Sequence, residues 1–156
     1  MKPFLDMAQD GGLLFDGAMG TMLYQRGVFL NRCFEHVILD QPEMIRSIHD
    51  EYLQAGARVR TTTTFGAGRL KLEKHGVADR LEEINRTAVQ IAREVAGGRA
   101  YVAGSIGPTG LDLRQFAGVD GVRAEKALRE HIEIMIDAGV DVLCLETFGF
   151  VSELEL

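Results

Sequence analysis

Three Ala-Gly pairs, Ala55-Gly56, Ala96-Gly97 and Ala138-Gly139, each end a stretch of helical period and open a run of strand length. Glycine leaves a helix readily through a left-handed turn, so each pair reads as a helix stop. The runs that follow cover 57–62, 100–105 and 140–146, and a matching apolar run stands at Leu13–Phe15. Strands are therefore expected to begin near 13, 57, 100 and 140. Short apolar strands alternating with amphipathic helices predict a parallel sheet covered by helices.

The helices between them carry start signals. Asp40-Gln41-Pro42-Glu43 offers an N-cap, an early proline and an acidic third position. The helix it opens runs to about Ala55, with Met44, Ile48 and Tyr52 on one face. Asp79 with Glu82 opens a second, whose Leu81, Ile84, Ala88, Ile91, Ala92 and Val95 fit a 3.6-residue period. A third spans about 122–138, with Ala124, Leu128, His131, Ile132 and Met135 facing inward; His131 is read as a packing residue. Residues 1–11 form a lead-in to Gly11-Gly12, and 24–40 a long loop holding Asn31, Arg32, Cys33 and His36. Arg69 to Lys74 is the solvated side of a helix.

Polar and glycine-rich residues gather after each strand, not before it. That places the chemistry at the carboxyl ends of the strands, as in (βα)-barrels and doubly wound sheets. Four βα units are half of a (βα)8 barrel, which takes about 250 residues; a flat four-stranded sheet is the other solution. Ser152 and Glu155 announce one more helix, but the chain ends at Leu156. So short a helix cannot offset its nucleation cost alone. The chain is expected to supply the first half of a barrel, cut from a longer chain or completed by a partner.

The 156 residues carry a net charge of −6. No basic face is available to release counterions, which argues against a nucleic-acid or anionic-membrane partner. Two cysteines, Cys33 and Cys144, make no disulfide framework, so a reducing, cytoplasmic setting is the expectation. No leader and no membrane span of about 20 apolar residues is visible.

Asp16 follows the first strand and Glu146 ends the fourth. Alternation sends Val142, Cys144 and Glu146 to one face and Leu143 and Leu145 to the other. If the first set faces the barrel axis, Glu146 meets Asp16 across the mouth. Two carboxylates there hold an ammonium, act as acid and base, or bind a metal. Gly17-Ala18-Met19-Gly20 is a turn whose backbone N–H groups are free. Thr61 to Thr64 and Ser105 bring hydroxyls to the other strand ends. Alternation with Thr62 turns Arg58 and Arg60 inward, where each needs a carboxylate.

DGAMGTML (16–23), AGARVRTTTTFGAGRLKLEKHG (55–76), EEINRTAV (82–89), VAGSIGPTG (102–110) and GVDVLCLETF (139–148) together resemble the homocysteine S-methyltransferase family. Within it the nearest match is the N-terminal homocysteine-binding module of cobalamin-dependent methionine synthases. The resemblance covers about 12–156 and implies a (βα)8 fold that moves a methyl group onto the thiol of homocysteine. It implies a zinc ion that favours the thiolate, with ligands in the second half of the barrel, and in some members a cobalamin bound by another domain. Carried over, Asp16 and Glu146 are the ammonium partners and the Gly17, Ala18 and Met19 backbone is the carboxylate cradle. Thr62 is a polar contact and Ser105 a lesser one. No residue of this chain is implied as catalytic or as a metal ligand; Cys33 and Cys144 read as ordinary thiols. Homocysteine, a methyl-donor domain or small donor, and the rest of the barrel are the implied partners. Two other readings stay open: a non-catalytic half-barrel scaffold, and another (βα)8 enzyme using Asp16 and Glu146 as acid and base.

Overall fold

The computed structural model describes residues 1–29, 33–111 and 119–156. Its centre is a parallel sheet in the order β1 (Val59–Thr61), β2 (Tyr101–Ile106), β3 (Val142–Leu145). Val59 pairs with Tyr101 and Ala103 with Val142, so the strands advance in step. β2 is buried along its whole length. This is the layered α/β arrangement expected of alternating strands and helices.

One sheet face is covered by α4 (Pro42–Gln54), α6 (Leu81–Ala96) and α7 (Val119–Asp137). The stripe on α6 is the most regular, burying Leu81, Ile84, Ala88, Ile91 and Ala92. Gly97 ends it at φ +51° and Gly139 follows α7 at φ +85°, a region costly for other residues. His131 of α7 is buried, and its Nε2 lies 2.9 Å from Asn85 Oδ1. Asn85 donates through Nδ2 to the Ala67 and Leu81 carbonyls, so its oxygen faces His131 and the imidazole donates from Nε2.

The other face is closed at its amino end by α1 (Phe4–Gln9). Phe4 meets Tyr101 edge-on at 5.4 Å, and the Tyr101 hydroxyl donates to the Lys2 carbonyl. Met7 and Leu13 pack there with Val59, Ala103, Val142 and Cys144. The carboxyl end of this face stays open. Among the described residues no helix is long and apolar enough to cross a membrane.

Several boundaries differ from the sequence reading. Leu13–Phe15 is no full strand: it makes one parallel bridge, Phe15 to Val59, with the Arg58 and Val59 amides donating to the Leu14 carbonyl. Its side chains explain this, since Leu14 and Phe15 are exposed at the sheet edge. The 24–40 loop is partly helical: α2 (Met19–Gln25) reaches into it, a 3₁₀ turn covers Phe34–His36, and α3 (Val37–Asp40) follows. Asn31 and Arg32 lie outside the described residues. Asp40 ends α3 and Gln41 precedes α4, so the expected cap is not made. Asp79 sits in a 3₁₀ turn before α6, and Ser152 lies inside α8 (Val151–Leu154). Polar residues near these starts are drawn into tertiary contacts: Glu153 accepts from the Thr109 amide at 2.7 Å and its hydroxyl at 2.6 Å.

Arg60 is the largest correction. Its neighbour in register, Val102, belongs to the cluster facing the helices, so Arg60 points into the helical layer and not toward the mouth. It is fully buried, its Nε and Nη1 have no hydrogen-bond partner, and Nη2 reaches only the Ala57 carbonyl at 3.4 Å. Arg58 is exposed.

Candidate functional site

At the carboxyl ends of the strands lies a cavity of about 620 Å³, within the range of small-ligand sites. Asp16, Gly17, Ala18, Met19, Thr62, Ser105 and Glu146 all line it, so the groups singled out in the sequence share one cavity. The parallel register brings the strand ends level: Ser105 pairs with Cys144, Glu146 follows the end of β3, and Thr62 follows the end of β1, where it leaves the strand's alternation and lines the cavity.

Asp16 is held hard against the sheet. Its amide donates to the Val59 carbonyl, and both carboxylate oxygens accept from the Thr61 N–H at 3.0 Å. Its side chain is only 2% exposed. Glu146 continues the β3 ladder by donating its amide to the Ile106 carbonyl, and its Oε1 accepts from the Ser105 hydroxyl. The next residue, Thr147, is at φ +59°, a strained conformation for a β-branched side chain and one that gathers at functional sites. Burial first, then Glu146 and Asp16, push the Cys144 thiol up. Both carboxylates thus act on one inward-facing group.

The hydroxyls have defined jobs. Thr64 donates to the Ser105 carbonyl at 2.7 Å, which commits its proton. Thr62 lies 2.7 Å from Thr64 and so donates to it, while accepting from the Ser105 amide at 3.0 Å. Thr62 therefore offers a ligand only a lone pair, and the Ser105 proton already belongs to Glu146. Thr63 is different: its hydroxyl is buried in the same lining without a partner.

Gly17 and Ala18 lead into α2, whose first turn carries amide N–H groups with no partner inside the helix. A side chain at Gly17 would sit 2.8 Å from the Tyr52 hydroxyl, which donates to the Ala18 carbonyl. A side chain there would have to displace the Tyr52 ring from this hydrogen bond.

Thr63 belongs to the run of strand-end hydroxyls read from the sequence, whereas Glu35 and Phe65 were not singled out as lining residues. Glu35 accepts from the Gly66 amide at 2.7 Å and from the Cys33 thiol at 3.4 Å. It lies in a stretch with no period, where only the acidic residue after Phe34 could have drawn notice. Burial, then the Glu35 charge, raise Cys33 to about 11. Among the described residues the lining includes Asp16, Glu35 and Glu146 and no lysine or arginine, which suits a cationic group. Among the described residues no three His, Cys, Asp or Glu side chains come together as a metal site, so the residues present do not by themselves fit the zinc of the resemblance.

The chain is similar to known proteins over most of its length. The family model "Homocysteine S-methyltransferase" matches residues 13–156. The chain is 33% identical over 161 residues to homocysteine S-methyltransferase of Escherichia coli, covering 92% of this chain and 52% of that protein. It is 36% identical to betaine–homocysteine S-methyltransferase 1 of Xenopus laevis, covering 35% of it, and 31% identical to methionine synthase of Mycobacterium tuberculosis, covering 13%. The metallated crystal form of the homocysteine methyltransferase MmuM from E. coli superposes with a TM-score of 0.82 at 29% identity, over 97% of this chain and 59% of that one. The chain thus spans about half or less of the length of these curated relatives. With the family match running over nearly its whole length, the chain belongs to the homocysteine S-methyltransferase family.

Proposed function

We propose that this chain carries the amino-acid-binding part of a homocysteine S-methyltransferase, an enzyme that makes methionine. Residues 12–156 act as the N-terminal half of a (βα)8 barrel, and residues 1–11 as its lead-in. Exposure of Leu14 (63%) and Phe15 (40%) at the bridge beside β1, and of Leu145 (44%) on β3, supports further elements packing at both sheet edges. The same exposure is what a half-barrel scaffold would need. The acidic cavity favours the enzyme reading.

The single observation that carries the proposal is that Asp16, Glu146 and the first turn of α2 line one cavity. An α-amino acid presents an ammonium and a carboxylate on one carbon. The two side-chain carboxylates hold the ammonium, and the amides at Gly17, Ala18 and Met19 hold the carboxylate. Ser105 keeps Glu146 aimed at the cavity, and Thr62 contributes an acceptor. The thiol end then points away from these groups. Thiol activation and methyl donation belong to groups other than those described: a zinc ion, a cobalamin domain or a small methyl donor, in a reducing, cytoplasmic setting.

Glu146→Gln in the complete protein tests this. Loss of one charged hydrogen bond is expected to weaken L-homocysteine binding by roughly 1.5–3 kcal/mol, read by isothermal titration calorimetry. An unchanged dissociation constant removes Glu146 from the site.

A further inference from the structure

His49 lies on the core-facing side of α4, between Ile45, Ile48 and Leu53, and is fully buried. Its neighbours on that stripe are aliphatic, and an aliphatic side chain would suit the position better. Instead the imidazole is buried with no hydrogen-bond partner at Nδ1 or Nε2. A buried polar atom without a partner costs stability, and such departures gather where function demands them. The imidazole is not among the cavity-lining residues, yet its Nδ1 stands 3.8 Å from Asp16 Oδ2. It thus stands just beyond hydrogen-bond distance of a carboxylate in the cavity lining.

Asp16 has only one backbone donor, the Thr61 N–H, shared between its two oxygens. Neither oxygen therefore has a backbone donor of its own. A second donor at Oδ2 would fix its plane. Charge balance does not require His49, because Arg60 is buried nearby and Asp16 is the leading charge that supports its protonation against burial. Tyr52 is committed to the Ala18 carbonyl, and the Cys144 thiol is the remaining titratable neighbour. His49 is the donor left to orient Asp16.

We propose that His49 is a positioning residue for the ammonium-binding carboxylate of Asp16, its Nδ1–H closing from 3.8 Å to hydrogen-bond distance on Oδ2 when a cationic ligand group enters the cavity. Hydrogen bonds of this kind are often long in the free protein and tighten in the complex. The inference rests on the ammonium reading of the site, and the ligand pair below separates the two.

The experiment is calorimetric titration of the complete protein with L-homocysteine and with 4-mercaptobutanoate, its analogue lacking the amino group. The variants are His49→Asn, His49→Gln and Asp16→Asn. Asparagine sets its amide donor near the Nδ1 position and glutamine near Nε2, and both keep a polar side chain of similar size. His49→Gln is expected to weaken homocysteine about tenfold, the usual scale for losing an orienting partner. It should leave 4-mercaptobutanoate unchanged and add nothing in the Asp16→Asn background. His49→Asn should bind homocysteine as the parent does. Equal losses for both ligands, a loss with His49→Asn as large as with His49→Gln, or a His49→Gln effect that persists without the Asp16 carboxylate overturns the proposal. A parent protein that binds the two ligands equally overturns the ammonium reading itself, and the role of His49 with it.

Discussion

Gly107, just past β2, is where packing and site meet most tightly. A Cβ there would lie 2.5 Å from the Phe65 carbonyl oxygen and 2.6 and 2.7 Å from Phe65 Cε2 and Cδ2. Ordinary contact begins near 3.4 Å, so the overlap with the carbonyl is about 0.9 Å (3.4 − 2.5). One obstacle is backbone, and the loop that carries it is tied down by Asn85 at Ala67 and by Glu35 at Gly66. Overpacking costs about 1–3 kcal/mol, and an obstacle that cannot swing aside puts Gly107→Ala near the upper end. At roughly 2–4 °C per kcal/mol for a domain of this size, Tm should fall by about 6–12 °C. Phe65 lines the cavity, so homocysteine binding should weaken with it. Two other glycines calibrate the scale. A Cβ at Gly104 meets only side-chain atoms, Met135 Sδ and Val140 Cγ1 at 3.3 Å and Leu143 Cδ2 at 3.4 Å, and should cost less than about 1 kcal/mol. A Cβ at Gly149 meets nothing within 4 Å and should be neutral within about 0.5 kcal/mol. Thermal denaturation of the three variants gives the order. A Tm loss for Gly107→Ala no larger than for Gly104→Ala refutes the reasoning.

Two further outcomes follow from buried groups. Burial holds His131 down at about 4, below its unfolded value, so the unfolded chain binds the extra proton and stability falls as pH drops from about 6.5 toward 4. The loss should reach roughly 3 kcal/mol by pH 4, and His131→Gln should flatten that part of a urea-denaturation pH profile; a parent profile already flat there contradicts it. Cys33, raised to about 11, carries only about a thousandth of its thiol as thiolate at pH 8. Iodoacetamide should label it far more slowly than a free peptide thiol, and Glu35→Gln should speed the labelling; peptide mapping by mass spectrometry reads both.

The period-based part of the fold was legible in the residues. Continuous apolar strands and the stripe on α6 are set by burial on the sheet, and the Ala-Gly stops by backbone sterics. The caps were not legible. Asp40, Asp79 and Ser152 have the right chemistry for helix starts, but α3, a 3₁₀ turn and α8 already occupy those positions. Asp40 instead takes His36 Nδ1 at 3.0 Å, and Glu153 beside Ser152 is drawn to Thr109. In the site, residues at strand ends were found because the strands place them. Glu35 and His49 were not: one sits in an aperiodic segment, and the other occupies a core stripe where a histidine is ordinarily a packing residue. Arg60 misled because alternation alone does not say which sheet face is the inner one. That is decided by the helices and by α1.

The most direct measurement is the structure of the complete protein crystallised with L-homocysteine. Its ammonium is expected within about 3.2 Å of the Asp16 and Glu146 carboxylates, with its carboxylate on the amides of Gly17, Ala18 and Met19. An amino acid seated in the reverse sense, or bound away from the strand ends in the groove that Leu128 and Ile132 of α7 form with Leu154 of α8, contradicts it.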